Sequence, residues 1–183
     1  MAQTDREVPA RKMKNIYLLG FMCAGKTSTG RILARKLKRR FADSDRLVEK
    51  KTGLKITELV TAAGLKAFRK LEAGAVRELA GEQGLVAALG GGIYPSGLRA
   101  KLLKSTGVTV YLHCPWPELE KRLKSARGPR PLLGGPLKPA LRRARKLYAE
   151  RLPFYRLADL ETSTAGLTPA RTAAVIARML NRD

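Results

Sequence analysis

The sequence predicts an α/β protein in which helices cover both faces of a parallel sheet. Apolar runs that suit buried strands alternate along the chain with stretches that repeat apolar residues at helical spacing. A glycine-rich, phosphate-binding motif stands between the first predicted strand and the first predicted helix. The length of 183 residues suits one domain with a core of its own.

The phosphate-binding motif occupies residues 20–27 and reads Gly-Phe-Met-Cys-Ala-Gly-Lys-Thr, which matches G-x-x-x-x-G-K-[ST]. Residues 16–19 precede it as a buried strand, and residues 28–38 follow with helical spacing. Backbone N–H groups of such a loop point at a phosphate chain, and the helix N-terminus favours the same anion. Lys26 can reach the β- and γ-phosphates, and the Thr27 hydroxyl can bind Mg²⁺. The predicted ATP-binding residues of this loop are Cys23, Ala24, Gly25, Lys26, Thr27 and Ser28.

An acidic segment follows the first predicted helix. Residues 40–45 are predicted as a short strand that carries Asp43 and Asp45 at its C-terminal end. In open α/β sheets this edge binds ligands, and alternate residues of a strand point the same way. One carboxylate can therefore hold Mg²⁺ while the other faces an acceptor hydroxyl. A helix N-cap at Asp43 or Ser44 is the alternative, and it accounts for only one of the two acids.

Residues 46–82 are predicted as helical, with breaks near Gly53 and Gly64. Arg69 precedes Glu72 by three residues, and this spacing by itself fits a surface ion pair.

The apolar run at residues 85–89 predicts a second buried strand, which ends in three glycines at positions 90–92. Consecutive glycines leave backbone N–H groups open to close approach by a ligand. Residues 96–104 and 118–124 are predicted as helices, with a strand at residues 108–112 between them.

Residues 127–139 are dense in glycine and proline and resist regular structure. A linker between domains is one interpretation, but roughly 45 residues follow it, which is few for a second domain. A flap that carries cations over a phosphate site fits better. Beyond it we expect a helix at residues 140–148 that breaks before Pro153, a strand at residues 158–161, and a helix at residues 169–180.

The composition is strongly basic, with 37 Lys and Arg against 15 Asp and Glu, a formal net charge of +22. The cationic runs at residues 35–40 and 142–146 fit solvated helix faces, and non-specific binding to nucleic acid or an anionic membrane is the alternative. Aromatic residues are sparse and no base-reading motif accompanies these runs. We therefore expect no specific nucleic-acid partner.

Residues 1–13 are predicted as a loose basic tail, and they lack the apolar core of a secretory signal. No segment approaches the roughly 18 apolar residues of a membrane span. Cys23 lies inside the phosphate-binding motif and Cys114 is the other cysteine, so a structural disulfide is not expected. These observations predict a cytoplasmic protein without a membrane partner, and we expect a monomer.

Taken together, the motifs resemble those of the shikimate kinase family. They are the phosphate-binding motif, Phe41-Ala42-Asp43-Ser44-Asp45, Phe68-Arg69-Lys70-Leu71-Glu72, Gly90-Gly91-Gly92, Arg130-Pro131-Leu132-Leu133, and Glu150-Arg151 running to Tyr155. Their order and spacing agree over nearly the whole chain. The resemblance implies a five-stranded parallel sheet of the nucleoside-monophosphate-kinase type in a single domain at residues 14–183. It also implies a lid at about residues 125–139 and a shikimate-binding region at about residues 43–82.

The resemblance further implies a role for each site residue. Thr27 and Asp43 would hold Mg²⁺, while Asp45 would bind the shikimate hydroxyls and act as the base. Arg69 and Arg151 would hold the shikimate carboxylate, a task that suits forked guanidinium groups.

Two glycines and a lid arginine complete the implied site. Gly91 and Gly92 would contact the substrate, with the Gly91 N–H donating to it. Arg130 would close over the phosphates and, with Lys26, stabilise charge as the phosphoryl group transfers. The implied catalytic residues are Lys26, Asp45 and Arg130. The implied reaction is ATP-dependent phosphorylation of the 3-hydroxyl of shikimate, in the pathway to chorismate and the aromatic amino acids.

The sequence departs from the family pattern at two places. Leu65 stands where the family usually has a glutamate that orients neighbouring arginines. Residues 166–168 lack the basic side chain that the family often offers to the nucleotide, a contact that Arg127 could supply instead. Two other functions remain open: a related kinase of the gluconate type, and a non-catalytic nucleotide-binding module with affinity for nucleic acid. The predicted acceptor-side residues argue against the first, and the intact catalytic residues argue against the second.

Overall fold

The computed structural model describes residues 14–93, 97–125 and 136–181, which form five strands and seven helices. The strands are β1 (Asn15–Leu19), β2 (Phe41–Asp43), β3 (Val86–Ala88), β4 (Gly107–His113) and β5 (Leu160–Ser163). The helices are α1 (Lys26–Lys36), α2 (Ser44–Thr52), α3 (Ile56–Gly81), α4 (Gly97–Thr106), α5 (Trp116–Ser125), α6 (Leu137–Tyr155) and α7 (Pro169–Leu180).

The strands form one sheet in the order β2-β3-β1-β4-β5, and all neighbouring pairs are parallel. The predicted α/β class and five-stranded sheet are thereby confirmed. Helices α1 and α7 pack against each other, and α3 packs against α4. The crossover from β1 to β2 runs in the opposite direction to that from β3 to β4, so right-handed connections place α1 and α4 on opposite faces. The central strand β1 is buried along its whole length, which explains its continuous apolar run.

Strand β2 is shorter than expected, and this changes the interpretation of the acidic segment. It ends at Asp43, and Ser44 begins α2. Asp43 is the N-cap of α2, and its Oδ1 accepts from the backbone N–H groups of Asp45 (3.1 Å) and Arg46 (3.4 Å). The prediction that both acids alternate on a strand is therefore wrong. The N-cap alternative is confirmed for Asp43, because the first helical turn leaves N–H donors that a carboxylate can satisfy.

Both predicted glycine breaks are present. Gly53 is the left-handed C-cap of α2 with φ 71°, and Gly64 kinks α3 with φ 79° and ψ 164°.

The predicted bounds of two late elements are wrong. Helix α6 begins at Leu137 rather than at residue 140 and continues through Pro153 without the expected break. Its buried face includes Arg151 and Tyr155 on either side of the proline, so packing holds the last turn in place. Strand β5 lies two residues further along the chain than expected. The last helix begins as predicted, with Thr168 as N-cap followed by Pro169.

Some predictions fall outside the described residues, namely the tail at residues 1–13 and, in the predicted lid, residues 126–135. Among the helices that the structure describes, none has the length and apolar character that a bilayer crossing requires. Cys23 and Cys114 are both free thiols.

Candidate active site

The phosphate-binding loop connects β1 to α1 at the carboxyl edge of the sheet. Its backbone is left-handed at Cys23 (φ 62°) and at Gly25 (φ 92°). Gly25 is the N-cap of α1, and no side chain among the described residues caps this helix. The first N–H groups of α1 therefore remain available to an anion, with the positive end of the helix behind them. This is the arrangement that the motif predicts.

Lys26 lies folded over this loop. Its Nζ donates to the carbonyl oxygens of Gly20 (2.8 Å) and Phe21 (3.0 Å). Burial lowers the pKa of Lys26, while the nearby carboxylates of Asp45 and Asp43 act in the opposite direction. The ammonium group is thus positioned between the loop and the two carboxylates.

Thr27 and Asp43 meet across the base of the loop. The Thr27 hydroxyl donates to Asp43 Oδ2 at 2.7 Å, while Asp43 Oδ1 is occupied by the cap of α2. In the described part of the chain no group of three or more His, Cys, Asp or Glu side chains could hold a metal. Mg²⁺ needs no such cage, since it is usually bound by one or two carboxylates together with phosphate oxygens and water. The hydroxyl and carboxylate oxygens present here fit this ion.

Asp45 lies in the first turn of α2, where it faces the loop. Burial raises its pKa to about 6, the Asp43 carboxylate adds to the rise, and Lys26 opposes it. Its Oδ1 is buried and has no hydrogen-bond partner among the described residues. A buried carboxylate oxygen without a donor is costly, so it can readily accept a hydrogen bond from a bound hydroxyl.

The glycine turn after β3 lies against the acidic groups. The Gly90 N–H donates to Oγ of the fully buried Ser44 at 2.8 Å. A Cβ atom on Gly90 would lie 2.5 Å from Asp45 Oδ1 and 2.7 Å from Glu72 Oε1. Only glycine lets these two carboxylates approach the turn so closely.

Arg69 reaches the same turn from α3. Its Nη1 donates to Glu72 Oε2 at 2.6 Å, and Glu72 is only 1% exposed. The two residues therefore form a largely buried ion pair, and the surface-bridge interpretation is wrong. A Cβ atom on Gly92 would lie 2.0 Å from Arg69 Nη1, so the guanidinium group rests on this glycine. Leu65, at the position where the family usually has a glutamate, is 47% exposed just beyond the kink of α3. The carboxylate that holds Arg69 is instead that of Glu72.

Arg151 and Tyr155 approach the turn from α6. Arg151 Nη1 donates to the carbonyl oxygen of Gly91 at 2.6 Å, and the Tyr155 hydroxyl donates to the same oxygen. Tyr155 is fully buried and stacks on Tyr111 with ring centroids 5.3 Å apart. Successive turns of one helix thus hold one carbonyl group of the glycine turn.

The loop, the carboxylates and the glycine turn enclose a cleft with a volume of about 310 Å³. It is lined by Met22, Cys23, Gly25, Lys26, Thr27, Ser28, Asp43, Asp45, Ala88, Leu89 and Gly91. The predicted residues Arg69, Gly92 and Arg151 lie beside this cleft at the glycine turn, and Ala24 is buried within the loop. Arg130 and Arg127 lie outside the described residues.

The roles of four residues near the site do not follow from the sequence alone. Its patterns assign Ser44 to a helix cap, Glu72 to a surface ion pair and Tyr155 to a family motif. They assign no role to Arg122. Its Nη2 donates to the Thr164 carbonyl oxygen (2.8 Å) and its Nη1 to that of Cys23 (3.4 Å), which ties the loop to the chain after β5. The available signal, Glu118 four residues earlier, is typical of an ordinary surface pair.

A parallel sheet with a phosphate-binding loop after its central strand, and with carboxylates from the end of β2 and the start of α2 facing that loop, defines a P-loop kinase of the nucleoside-monophosphate-kinase type. Within this class, the chain belongs to the shikimate kinase family, whose family model, described as "Shikimate kinase", matches residues 22–181.

Individual relatives agree with this assignment. The chain is 36% identical over 170 residues to a shikimate kinase of Sulfurihydrogenibium sp., which covers 93% of this chain and 99% of the relative. It is 40% identical over 160 residues to a shikimate kinase of Thermus thermophilus, which covers 87% of this chain and 85% of the relative. A shikimate kinase from Acinetobacter baumannii, solved in complex with shikimate, is 34% identical with a TM-score of 0.86 and coverage of 93% and 94%. These findings do not favour a gluconate-type kinase or a non-catalytic module.

Proposed function

We propose that this protein transfers the γ-phosphoryl group of ATP to the 3-hydroxyl of shikimate, which gives shikimate 3-phosphate and ADP. The observation that carries the proposal is the convergence of two guanidinium groups, from Arg69 and Arg151, on the glycine turn that also borders Asp45. A small acceptor with a carboxylate at one end and a hydroxyl at the other matches this arrangement.

In this proposal Asp45 is the base. The hydroxyl proton passes to its carboxylate as the acceptor oxygen bonds to the γ-phosphorus and the bond from that phosphorus to the β,γ-bridging oxygen breaks. With a pKa of about 6, the carboxylate is mostly ionised near neutral pH and remains basic enough to take a proton. Its unpaired Oδ1 is the atom to which we assign the acceptor hydroxyl.

Arg69 and Arg151 would bind the acceptor carboxylate. Glu72 fixes the guanidinium group of Arg69 through one donor and leaves its other N–H groups free for a ligand. Arg151 is fixed in the same way by the Gly91 carbonyl oxygen. Preorganised donors lose less rotational freedom when the acceptor binds. We also assign the Gly91 N–H and Gly92 to acceptor contacts.

The nucleotide side would use the loop N–H groups and Lys26 to bind the phosphates. Thr27 and Asp43 would hold Mg²⁺, which neutralises charge on the β- and γ-phosphates when it is bound. Arg130 would add a cation from the lid. We propose a monomer that consists of one domain at residues 14–183. We place it in the cytoplasm, since ATP is available there and a free thiol, Cys23, lines the cleft.

The test is ADP release by the purified protein with Mg²⁺-ATP and one acceptor at a time. We expect strong stimulation by shikimate, and none by gluconate or by a shikimate analogue that lacks the 3-hydroxyl. That analogue should still compete with shikimate, because it retains the carboxylate.

Equal ADP release with every acceptor would contradict the proposed substrate. Phosphorylation of gluconate in preference to shikimate would restore the other small-molecule kinase. Phosphorylation of the 3-deoxy analogue would show that the attacked hydroxyl is wrong.

A further inference from the structure

Two distant segments of the chain contain no acidic residue, namely residues 14–42 and residues 162–182. The fold brings them together, because α1 from the first segment packs along α7 from the second. The exposed cations of the two helices, together with Lys38 in the turn after α1, form what we call the α1/α7 surface, which consists of Arg31, Arg35, Lys36, Lys38, Arg171 and Arg178. Folding thus concentrates positive charge on one face of the sheet.

The cations of this surface have no acidic partner within the described residues. None of the ion pairs there includes any of the six. Arg31 lies over the ring of Phe41, which leaves its charge uncompensated. Some exposed lysines of other helices are paired, as Lys51 is with Glu78 and Lys124 is with Glu120, whereas α1 and α7 contain no acidic residue. A high positive potential is therefore expected over α1 and α7.

The spacing of these cations is regular. Arg31 and Arg35 are four residues apart on α1, and Arg171 and Arg178 are seven residues apart on α7. Positions with these spacings lie on one side of a helix, about 6 to 10 Å apart along it. Lys38 follows the end of α1 in a turn with a left-handed backbone (φ 54°). Two packed helices thus present two rows of cations. Most of them are arginines, whose planar fork suits phosphate oxygens.

We propose that the α1/α7 surface binds the phosphate backbone of double-stranded nucleic acid without sequence preference. A duplex carries one negative charge per roughly 1.7 Å of its axis, so it can match both rows at once. Neither helix contains an aromatic residue, so this surface has no platform on which single-stranded bases could stack. A helix that binds a membrane surface needs exposed large apolar side chains as anchors. Among the described residues, such side chains lie outside both helices, so this surface is better suited to a duplex than to a membrane.

The surface is separate from the active-site cleft. The cleft lies at the carboxyl edge of the sheet and is lined by the loop that precedes α1, together with the first turn of that helix. None of the six cations lines it. Variants of this surface can therefore be judged independently of the proposed kinase reaction.

The experiment measures binding of a fluorescent DNA duplex to the full-length protein at several salt concentrations. If all six cations contact phosphates, the logarithm of the association constant should fall linearly with the logarithm of the salt concentration, with a slope of about −5. The triple variant Arg35→Glu, Lys38→Glu and Arg178→Glu removes three contacts. Its affinity should fall on the order of 100-fold at roughly 0.1 M salt, and its slope should become shallower by about 2 to 3.

A charge-matched control comes from α6, where Arg142, Arg145 and Lys146 are exposed. Changing all three to glutamate alters the net charge as much as the α1/α7 variant does, and it should weaken duplex binding far less. Equal losses in the two variants would show that total charge rather than this surface governs binding. Shikimate-dependent turnover at the wild-type rate would show that both variants are folded.

Two further results would also overturn the proposal. One is tighter binding to a single strand of equal length or to vesicles with anionic lipid than to the duplex. The other is no measurable binding of the wild-type protein to the duplex at physiological salt. Neither result bears on the kinase reaction, which is measured with its own substrates.

Discussion

The two sides of the cleft are built in different ways. The phosphate side is a run of neighbouring residues whose hydrogen-bond donors are mainly backbone N–H groups. Left-handed conformations at Cys23 and Gly25 orient these groups. The proposed acceptor side takes Asp45 from α2, Arg69 from α3 and Arg151 from α6, and it joins them at a glycine turn. A site made of backbone is encoded locally, whereas a site made of side chains depends on the packing of several elements.

The two sides also differ in their electrostatics. The acceptor side holds two carboxylates that are largely out of water. Asp45 Oδ1 has no hydrogen-bond partner among the described residues, and Glu72 is in an ion pair. Such groups are costly to bury unless a partner satisfies them, so single substitutions there should have large and separable effects. On the phosphate side, the N–H donors need no particular side chain. Variants of the acceptor side should therefore spare nucleotide binding.

The largest expected effect is that of Asp45→Asn. The amide retains the shape of the side chain but cannot take a proton, so kcat should fall by about 10²- to 10⁴-fold. ATP affinity, measured by titration calorimetry without acceptor, should stay within about threefold, which is under 1 kcal/mol. A collapse of ATP affinity equal to the loss of kcat would show that the two sides are not separable.

The same residue predicts a dependence of stability on pH. The pKa of Asp45 is raised from its ordinary value of 3.8 to about 6, so between these values the folded state binds a proton more readily than the unfolded state. Its contribution to the free energy of unfolding is therefore present below about pH 4 and is lost as pH rises through about 6. Relative to the wild type, Asp45→Asn should gain up to about 3 kcal/mol across this window.

Denaturant unfolding of both proteins without nucleotide, from pH 4 to pH 7, measures this difference. A constant offset between the two curves would mean that the Asp45 carboxyl group has an ordinary pKa in the folded protein.

Arg69→Leu should act on acceptor affinity. It removes a charged donor and leaves the buried Glu72 without its partner, so KM for shikimate should rise about 10- to 100-fold. KM for ATP should change little. Arg77→Leu is a matched control, because Arg77 is exposed on the same helix and has no ion pair within the described residues. An unchanged shikimate KM in Arg69→Leu would contradict the assigned carboxylate contact.

Tyr155→Phe should have the smallest effect. It removes one of the two donors to the Gly91 carbonyl oxygen and keeps the ring that stacks on Tyr111. We expect KM for shikimate to rise about 2- to 10-fold with kcat nearly unchanged, since one neutral hydrogen bond is lost. Tyr148→Phe is the control, because the Tyr148 hydroxyl donates to the Cys114 carbonyl oxygen instead. A fall in ATP affinity in Tyr155→Phe alone would place this tyrosine on the phosphate side.

The fold and the phosphate side were largely predictable from the sequence. Apolar runs and helical periodicity are local patterns along the chain, and they predicted the parallel sheet and most of the helices. The phosphate-binding motif is contiguous, so its chemistry could be inferred before the fold was known. Errors were confined to element ends such as Asp43 and to Pro153, where capping and packing outweighed the local preference.

By itself, the sequence predicted the fold class, the phosphate-binding loop and, through its resemblance to a family, the acceptor-side residues that we propose. Only the tertiary structure decided how those residues are held. It showed that Glu72 is a buried partner of Arg69, that Ser44 and Tyr155 fix the glycine turn, and that two acid-free segments share one face. The physical reason is that periodicity and motifs report neighbours along the chain. Ion pairs, burial and surface potential depend on residues that only folding brings together.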